Sequence, residues 1–430
     1  MLAVIQQSTY LNAEPGPLPT NFAAYYSGAS SIQLYDVTSD NDGNMYCCSR
    51  IASSPALGIV VAFNSAGTIL WGKSYSGNIG FFGLCIDSVS SPTRVYCCSS
   101  LGDVVAYDSD DGTLIWKKRY GTNGEIRWTD IIFDSANSLV HVVGSVLLGT
   151  TPLMAIAAAY DTTGMFSASA TIGGVTTPGV ETALGGFSIG WNASQPTLLI
   201  VGGQLRTNAG NLVFVNSLTT GYANGSLHRK YFNVSDSMGN GLYVDASAGY
   251  AFAAWGAGSG STGGLSLVGA NASGAVQWKR CIQTGMSSAA LHCDGTHIFI
   301  TGATQGSLAL MAEYDLAGAI QWQRTLAGGT FINANGMTVD GNNYLACGNF
   351  ELSSVDSGAL WSLPKDGSLT GTQGIWTYAS AGLTEAASSF TDSDASGDLV
   401  YASATGSYSD ALGSGLDAVS IPTLNKQSFG

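Results

Sequence analysis

Charge is what this chain has least of. Its 430 residues carry 15 Lys and Arg against 29 Asp and Glu, 10% in all, where an average soluble domain has roughly 25%. A folded monomer of this size exposes on the order of 15,000 Å², which leaves roughly one charge per 350 Å². Most of the surface must then be Ser, Thr, Asn, Gly and Ala. Such a surface suits burial against protein neighbours, because few ions need desolvation. A habitat that favours uncharged polar surfaces would give the same composition. The net charge of −14 offers no basic field to a nucleic acid or an anionic membrane. The densest basic run, Lys117-Lys118-Arg119, reads as a solvated strand end.

Other absences narrow the function. No segment reaches the roughly 18 apolar residues that a membrane-spanning helix needs. Residues 1–12 lack the basic start, apolar core and small-residue cleavage site of a secretory signal, so the expectation is a chain made in the cytosol. The four sequons at Asn192, Asn224, Asn233 and Asn271 then carry little weight. No G-x-S-x-G elbow, P-loop or H-E-x-x-H occurs, and no catalytic residue is assigned. Only four histidines are present, His141, His228, His292 and His297, too few and too scattered to name a metal set. Proline is scarce, at 10 residues, whereas 57 glycines run along the whole chain. That spread suits many tight turns rather than one linker.

What is there is a repeat. Val61-Ala-Phe-Asn-Ser-Ala-Gly-Thr-Ile-Leu-Trp71 parallels Val105-Ala-Tyr-Asp-Ser-Asp-Asp-Gly-Thr-Leu-Ile-Trp116, and shorter copies end at Trp278 and Trp322. In each, Asp or Asn opens a turn, Gly supplies a positive φ, and Trp follows the Gly by four positions. The turn glycines Gly67, Gly112, Gly164, Gly221, Gly274, Gly318 and Gly367 are spaced 44 to 57 residues apart, the size of a four-stranded propeller blade. A preceding strand has eight copies: MYCCS at 45, VYCCS at 95, VHVVG at 140, LLIVG at 198, AFAAW at 251, IFITG at 298, YLACG at 344 and VYASA at 400. Upstream again, small-residue segments such as Phe82–Ile86 and Asn335–Val339 suit innermost strands. Phe22-Ala-Ala-Tyr-Tyr26-Ser-Gly28 mirrors Trp71-Gly-Lys-Ser-Tyr75-Ser-Gly77 and so reads as an outer strand.

These features predict one all-β domain over 1–430, an eight-bladed β-propeller of four-stranded blades. The blades fall at about 33–77, 80–121, 126–174, 182–232, 238–282, 285–328, 330–376 and 378–424. A closure strand within 15–28 completes the C-terminal blade and removes open edges. Residues 1–14 are either an extra strand that contacts a partner or the third strand of the eighth blade, with Leu416–Leu424 displaced.

The composite pattern, D-x-x-G-x-h-Y followed by h-h-A-Y-D-x-x-G-x-h-x-W-x-K-x-Y-x-G, resembles the bacterial β-propeller repeat family often labelled SBBP. The likeness is best over 33–121 and 238–328. The segment Ala106–Trp116 also resembles the Trp-docking motif of quinoprotein dehydrogenases. That second resemblance would imply a quinone and Ca²⁺, but no matched position supplies the ligands or a catalytic Asp. Such motifs specify fold far better than function.

Cys47-Cys48 and Cys97-Cys98 could form vicinal disulfides or bind a soft metal. In the repeat alignment their columns hold Val, Ile, Ala, Thr and Ser elsewhere, so the reading is buried free thiols acting as small fillers. Asp392, Asp394, Ser396 and Asp398 begin like a calcium loop, but Ser403 stands where the bidentate Glu belongs, and they form only a weak Ca²⁺ candidate. The expected function is a non-enzymatic structural or interaction propeller without a cofactor, foremost a bacteriophage virion component of the tail. Its partners would be other structural proteins, with assembly in the bacterial cytoplasm. The alternative is an exported, cell-surface propeller that binds glycans or proteins.

Overall fold

In a computed structural model of the chain, residues 22–26, most of 31–380 and short strands between 385 and 428 are described. Residues 1–21 lie outside the described residues, as do 121–125, 175–183, 233–237, 257–263 and shorter connecting stretches. The chain forms a β-propeller, all β among the described residues. Strand a of each blade is innermost, and strands b, c and d follow outward as antiparallel neighbours.

The ring has seven blades, not the eight expected. Six are continuous in sequence, at 31–76, 81–120, 126–174, 184–232, 238–282 and 286–327. Blade 7 takes strands a to c from Thr330–Asp340, Asn343–Leu352 and Val355–Pro364. Its strand d is Phe22–Tyr26, which pairs antiparallel with Val355–Pro364, Tyr26 opposite Gly358. The N-terminal strand thus closes blade 7 rather than an eighth blade.

The tail expected to form an eighth blade does something different. After the turn at Gly367 the slot for strand d of blade 7 is already filled by Phe22–Tyr26. The chain instead crosses back to blade 6, where Trp376–Ser380 pairs outside Ile320–Ala327. It then travels round the ring in the reverse direction. Glu385–Ala387 pairs with blade 5, Asp392–Asp394 with blade 4 and Leu399–Ser403 with blade 3. Tyr408–Ser409 pairs with blade 2, Leu416–Ala418 with blade 1, and Leu424–Ser428 with Phe22–Tyr26 of blade 7. Each blade therefore gains a fifth strand on its outer edge from one belt, and in blade 6 Gly371–Gln373 pairs outside that strand as a sixth. The string VYASA looked like an eighth strand b because both positions favour short, small-residue strands. Segments as short as Asp392–Asp394 and Tyr408–Ser409 cannot build a blade alone, yet each can satisfy an exposed edge.

The core is divided among the blade interfaces. Among the described residues seven hydrophobic clusters alternate with the seven blades; one joins blades 1 and 2 through Tyr46, Val60, Trp71, Phe81 and Tyr107. The reason is the period of two along a strand, which sends consecutive side chains to opposite faces of a blade. Because both faces of every blade are covered, strands b and c read as unbroken apolar runs, such as Val104–Tyr107 and Leu198–Val201.

Candidate functional site

The docking of one blade on the next explains the repeat. Trp71 Nε1 donates to the carbonyl of Ser109 at 2.7 Å, in the c–d turn of blade 2. Trp116 makes the same bond to Thr162 at 2.9 Å, Trp278 to Leu316 at 3.0 Å and Trp322 to Lys365 at 2.9 Å. Each indole lies on the turn glycine of the following blade. A Cβ on Gly112 would stand 2.6 Å from the Trp71 ring, and one on Gly318 would stand 2.5 Å from Trp278. All four turn glycines, Gly112, Gly164, Gly318 and Gly367, have positive φ. A cation two residues after Trp reinforces the bond: Arg280 Nε donates to Gly318 O and Arg324 Nε to Gly367 O, both at 2.7 Å.

Blade 3 has Ala168 where the docking Trp would stand, and the turn of blade 4 compensates. Tyr222 takes a positive φ of 59° and is buried in the cluster against which Ala168 packs. Its hydroxyl lies 2.8 Å from His141 Nδ1, and His141 Nε2 lies 3.4 Å from Asp134. In blades 1 and 2 the position of His141 is Tyr46 and Tyr96, whose hydroxyls donate to Asp40 and Asp87. His141 is thus a structural residue, the blade 3 counterpart of the Asp–Tyr contact across the a–b turns of blades 1 and 2.

A central channel of about 350 Å³ is lined by strand a of all seven blades. Each inner strand is irregular, with a bulge at matching places such as Leu34/Asp36, Phe81/Gly83 and Trp128/Asp130. The bulge turns a polar side chain toward the neighbouring blade. Asp36 accepts from Val37 N at 2.9 Å and from Leu84 N of blade 2 at 3.0 Å. Asp130 accepts from Ile131 N at 2.8 Å and from Ile189 N of blade 4 at 2.9 Å. Gly336 and Gly83 permit the close approach of these carboxylates' backbones, since a Cβ would lie 2.4 Å from Asp36 Cα and 3.1 Å from Asp130 Cα. Burial lifts the Asp36 carboxyl to about 8 and that of Asp130 to about 7, against the lowering effect of the amide donors. His292, also on the channel wall, is pushed down to about 4 by burial. Both carboxyls bond only backbone amides among the described residues, so they tie blade to blade and form no acid–base pair with His292.

Cys47, Cys48, Cys97 and Cys98 are free and buried. Cys47 faces the cluster between blades 7 and 1, whereas Cys48 and Cys97 share the one between blades 1 and 2, and Cys98 faces blade 3. Consecutive thiols therefore point into different cores. The basic run is not a solvated strand end. Lys117 is 4% exposed; its ammonium sits 3.9 Å over the Tyr75 ring, bonds the Tyr75 hydroxyl and lies 3.9 Å from Asp103. Arg119 grips both oxygens of Asp103 at 2.6 and 2.7 Å. Strand alternation puts residues 117 and 119 on one face, which a run of three like charges conceals. His297 lies 3.6 Å from Glu313. Of the calcium candidate, Asp392 and Asp394 lie on a belt strand, while Ser396 and Asp398 are outside the described residues. No group of three or more His, Cys, Asp or Glu side chains that could hold a metal occurs among the described residues. No helix among them is long and apolar enough to cross a membrane.

The geometry defines a seven-bladed β-propeller locked by Trp-to-turn contacts. Solved structures similar to it are of this fold. "Structure of U3-55K" superposes with a TM-score of 0.55 at 8% identity, over 81% of this chain and 100% of that one. "Crystal structure of RRP9 WD40 repeats" gives 0.50 at 9% identity, over 81% and 98%. The Cps50 (Swd1) β-propeller domain of Myceliophteria thermophila gives 0.50 at 11%, over 79% and 99%. These neighbours are WD40-type propellers, and at such identity the likeness is one of fold. No family model matches the chain, and no curated protein matches it either.

Proposed function

We propose that this chain is a non-enzymatic interaction scaffold, a structural part of a larger protein assembly. The observation that carries this reading is the doubly secured ring. Blades are pinned by Trp and Tyr222 contacts, and the belt covers the outer edge of every blade. Channel carboxyls are committed to backbone amides. Such a body presents two fixed faces of turns and loops to partners. WD40-type neighbours, the sparse charge and the buried thiols support the same reading.

The finer proposal is a component of a bacteriophage virion, assembled in the bacterial cytoplasm. The composition favours it: 10% charged residues give a surface that is cheap to desolvate against structural neighbours. Cross-linking mass spectrometry on the native source tests both levels. The scaffold reading expects the chain in a stoichiometric complex, and the finer reading expects that complex to be a phage particle. Recovery as a free monomer that turns over a substrate would overturn both. Recovery at the surface of a cell, bound to glycan, would favour the exported, SBBP-type alternative.

A further inference from the structure

Six large apolar side chains are exposed among the described residues, and five of them fall on blades 1 to 3. These are Leu70 (46%), Val89 (69%), Leu114 and Ile115 (37% each) and Met165 (67%); the sixth, Leu316, stands apart on blade 6. Docking brings together the segments that carry the five. Trp71, next to Leu70, rests on the turn Ser109–Gly112, and Leu114 and Ile115 follow that turn. Trp116, next to Ile115, rests on the turn Thr162–Gly164, and Met165 follows that one. Val89 belongs to the a–b turn of blade 2, whose Thr93 carbonyl accepts from Ser109 N. All five thus stand in or beside the a–b and c–d turns of blades 1 to 3, which the antiparallel order puts at one end of the ring, and they form an apolar arc there.

The repeat itself provides a control. Leu70 and Ile115 immediately precede the docking Trp. In blades 5 and 6 the same position is Gln277 and Gln321, also exposed. The ring therefore accepts an amide there, and nothing in the packing of the propeller requires the aliphatic side chains of blades 1 and 2. Carboxylates also outnumber cations around the arc. Asp42, Asp110 and Asp111 are exposed beside it, and Asp161 opens the turn before Met165. Hydrogen bonds from Thr113 hold Asp111 below the usual carboxylate range. Of the cations in the arc, Arg94 is spent on the Thr162 carbonyl at 2.8 Å; the stems of Lys73 and Lys118 lie along the turns at Gly112 and Gly164, and Lys73 also helps hold Asp111 down.

From this arrangement we infer that the arc Leu70–Val89–Leu114–Ile115–Met165 is a docking surface for a cationic, amphipathic segment of a partner protein. Apolar side chains of the segment would cover the arc while its Lys or Arg face Asp110 and Asp111. The inference rests on the scaffold reading and names one of its contact surfaces.

The probe is a synthetic amphipathic helix of Leu and Lys, titrated into the full chain, with hydrogen exchange locating the contact. Binding is expected to protect residues 69–71, 89, 109–115 and 162–165. The variant L70Q/I115Q/M165Q should keep its thermal midpoint and bind at least about tenfold more weakly. D110N/D111N should weaken binding by about threefold and reduce its salt dependence. Q277L/Q321L should leave binding at the arc unchanged. Equal affinity of the triple variant, protection confined to another part of the ring, or equal binding of a peptide with Gln for every Leu would overturn the assignment. Concentration-dependent self-association of the free chain that the triple variant abolishes would also overturn it, by making the occupant a second copy. If the peptide misses the arc while the native chain still cross-links into an assembly, this surface is wrong and the scaffold reading stands.

Discussion

The indole nitrogen of Trp116 reaches 2.9 Å across a blade boundary to the carbonyl of Thr162, and its ring covers Gly164. The contact recurs at Trp71, Trp278 and Trp322, so the repeated spacing of Gly and Trp records a bond between successive blades rather than within one. The glycine has two duties: a backbone with positive φ and a bare surface for the ring.

Those duties separate by substitution. Gly341 has a φ of +53° with open space where a Cβ would go. Gly341→Ala should cost about 1 kcal/mol, the strain of the backbone alone. Gly112→Ala adds displacement of the Trp71 ring and should cost about 3 kcal/mol or more. Denaturant midpoints of the two variants check this. Equal losses would mean that the indole is not packed on the turn.

Blade 4 makes its contact through Tyr222 instead. Tyr222→Phe keeps the ring and removes the bond to His141, for a loss of about 1 kcal/mol. Tyr222→Ala empties the slot left by Ala168 and should cost about 3–4 kcal/mol. Thermal unfolding of both variants distinguishes this from a surface tyrosine, whose removal would cost less than about 0.5 kcal/mol.

The channel carboxyls give a pH dependence of known sign. Asp36 at about 8 and Asp130 at about 7 stay protonated in the folded ring where the unfolded chain has already released its protons. Their contribution is full below the unfolded value near 4 and is lost as pH rises through 7 to 8. His292, held at about 4, acts in the opposite sense between 4 and about 6.5. The fall should therefore be cleanest from pH 6.5 to 8.5. Urea midpoints should decline over that interval in the wild type and decline less in Asp36→Asn. A wild-type midpoint that rises there would contradict the assignment.

Thiol reactivity should follow burial. Burial pushes Cys48, Cys85, Cys98 and Cys347 well above the ordinary thiol range, whereas Cys293 is partly exposed. Alkylation of the native protein followed by peptide mass spectrometry should label Cys293 well before any of these four. Complete unfolding should make all five reactive. Early labelling of Cys48 or Cys98 would contradict the placement of these thiols in the cores between blades.

Much of this fold is written in local residues. Turn glycines, the docking Trp and the apolar b strands repeat, so blade type and strand order can be read from spacing. The blade number could not be, because it depends on where the last hairpin goes. Lys365–Gly367 carries the repeat's turn, yet Phe22–Tyr26 already occupies the strand it should lead into, and that competition spans more than 300 residues. The belt strands are too short and too far from their partners for periodicity to reveal them. His141 was recognisable as a substitute for Tyr, but its link to Tyr222 joins residues 81 positions apart. The two channel carboxyls had no motif. Their setting comes from bulges that only the assembled ring places beside a neighbouring amide. The apolar arc was in principle legible: Leu70 and Ile115 stand against Gln277 and Gln321 in the same column of the repeat.

The belt is the feature that most separates this ring from an eight-bladed one, and a disulfide trap tests it directly. In the belt, Ala402 pairs with Thr171 on the outer strand of blade 3. Cross-strand partners lie within disulfide reach. The double variant Thr171→Cys/Ala402→Cys, oxidised under native conditions and digested, should give a disulfide-linked peptide pair joining the two segments. Thr171→Cys combined with Leu416→Cys should not, because Leu416 pairs with Tyr75 on blade 1. A trapped 171–402 bond establishes that the tail crosses blade 3 on its way round the ring. Failure of that bond to form, with 402 free in a folded protein, would contradict the seven-bladed, belted propeller.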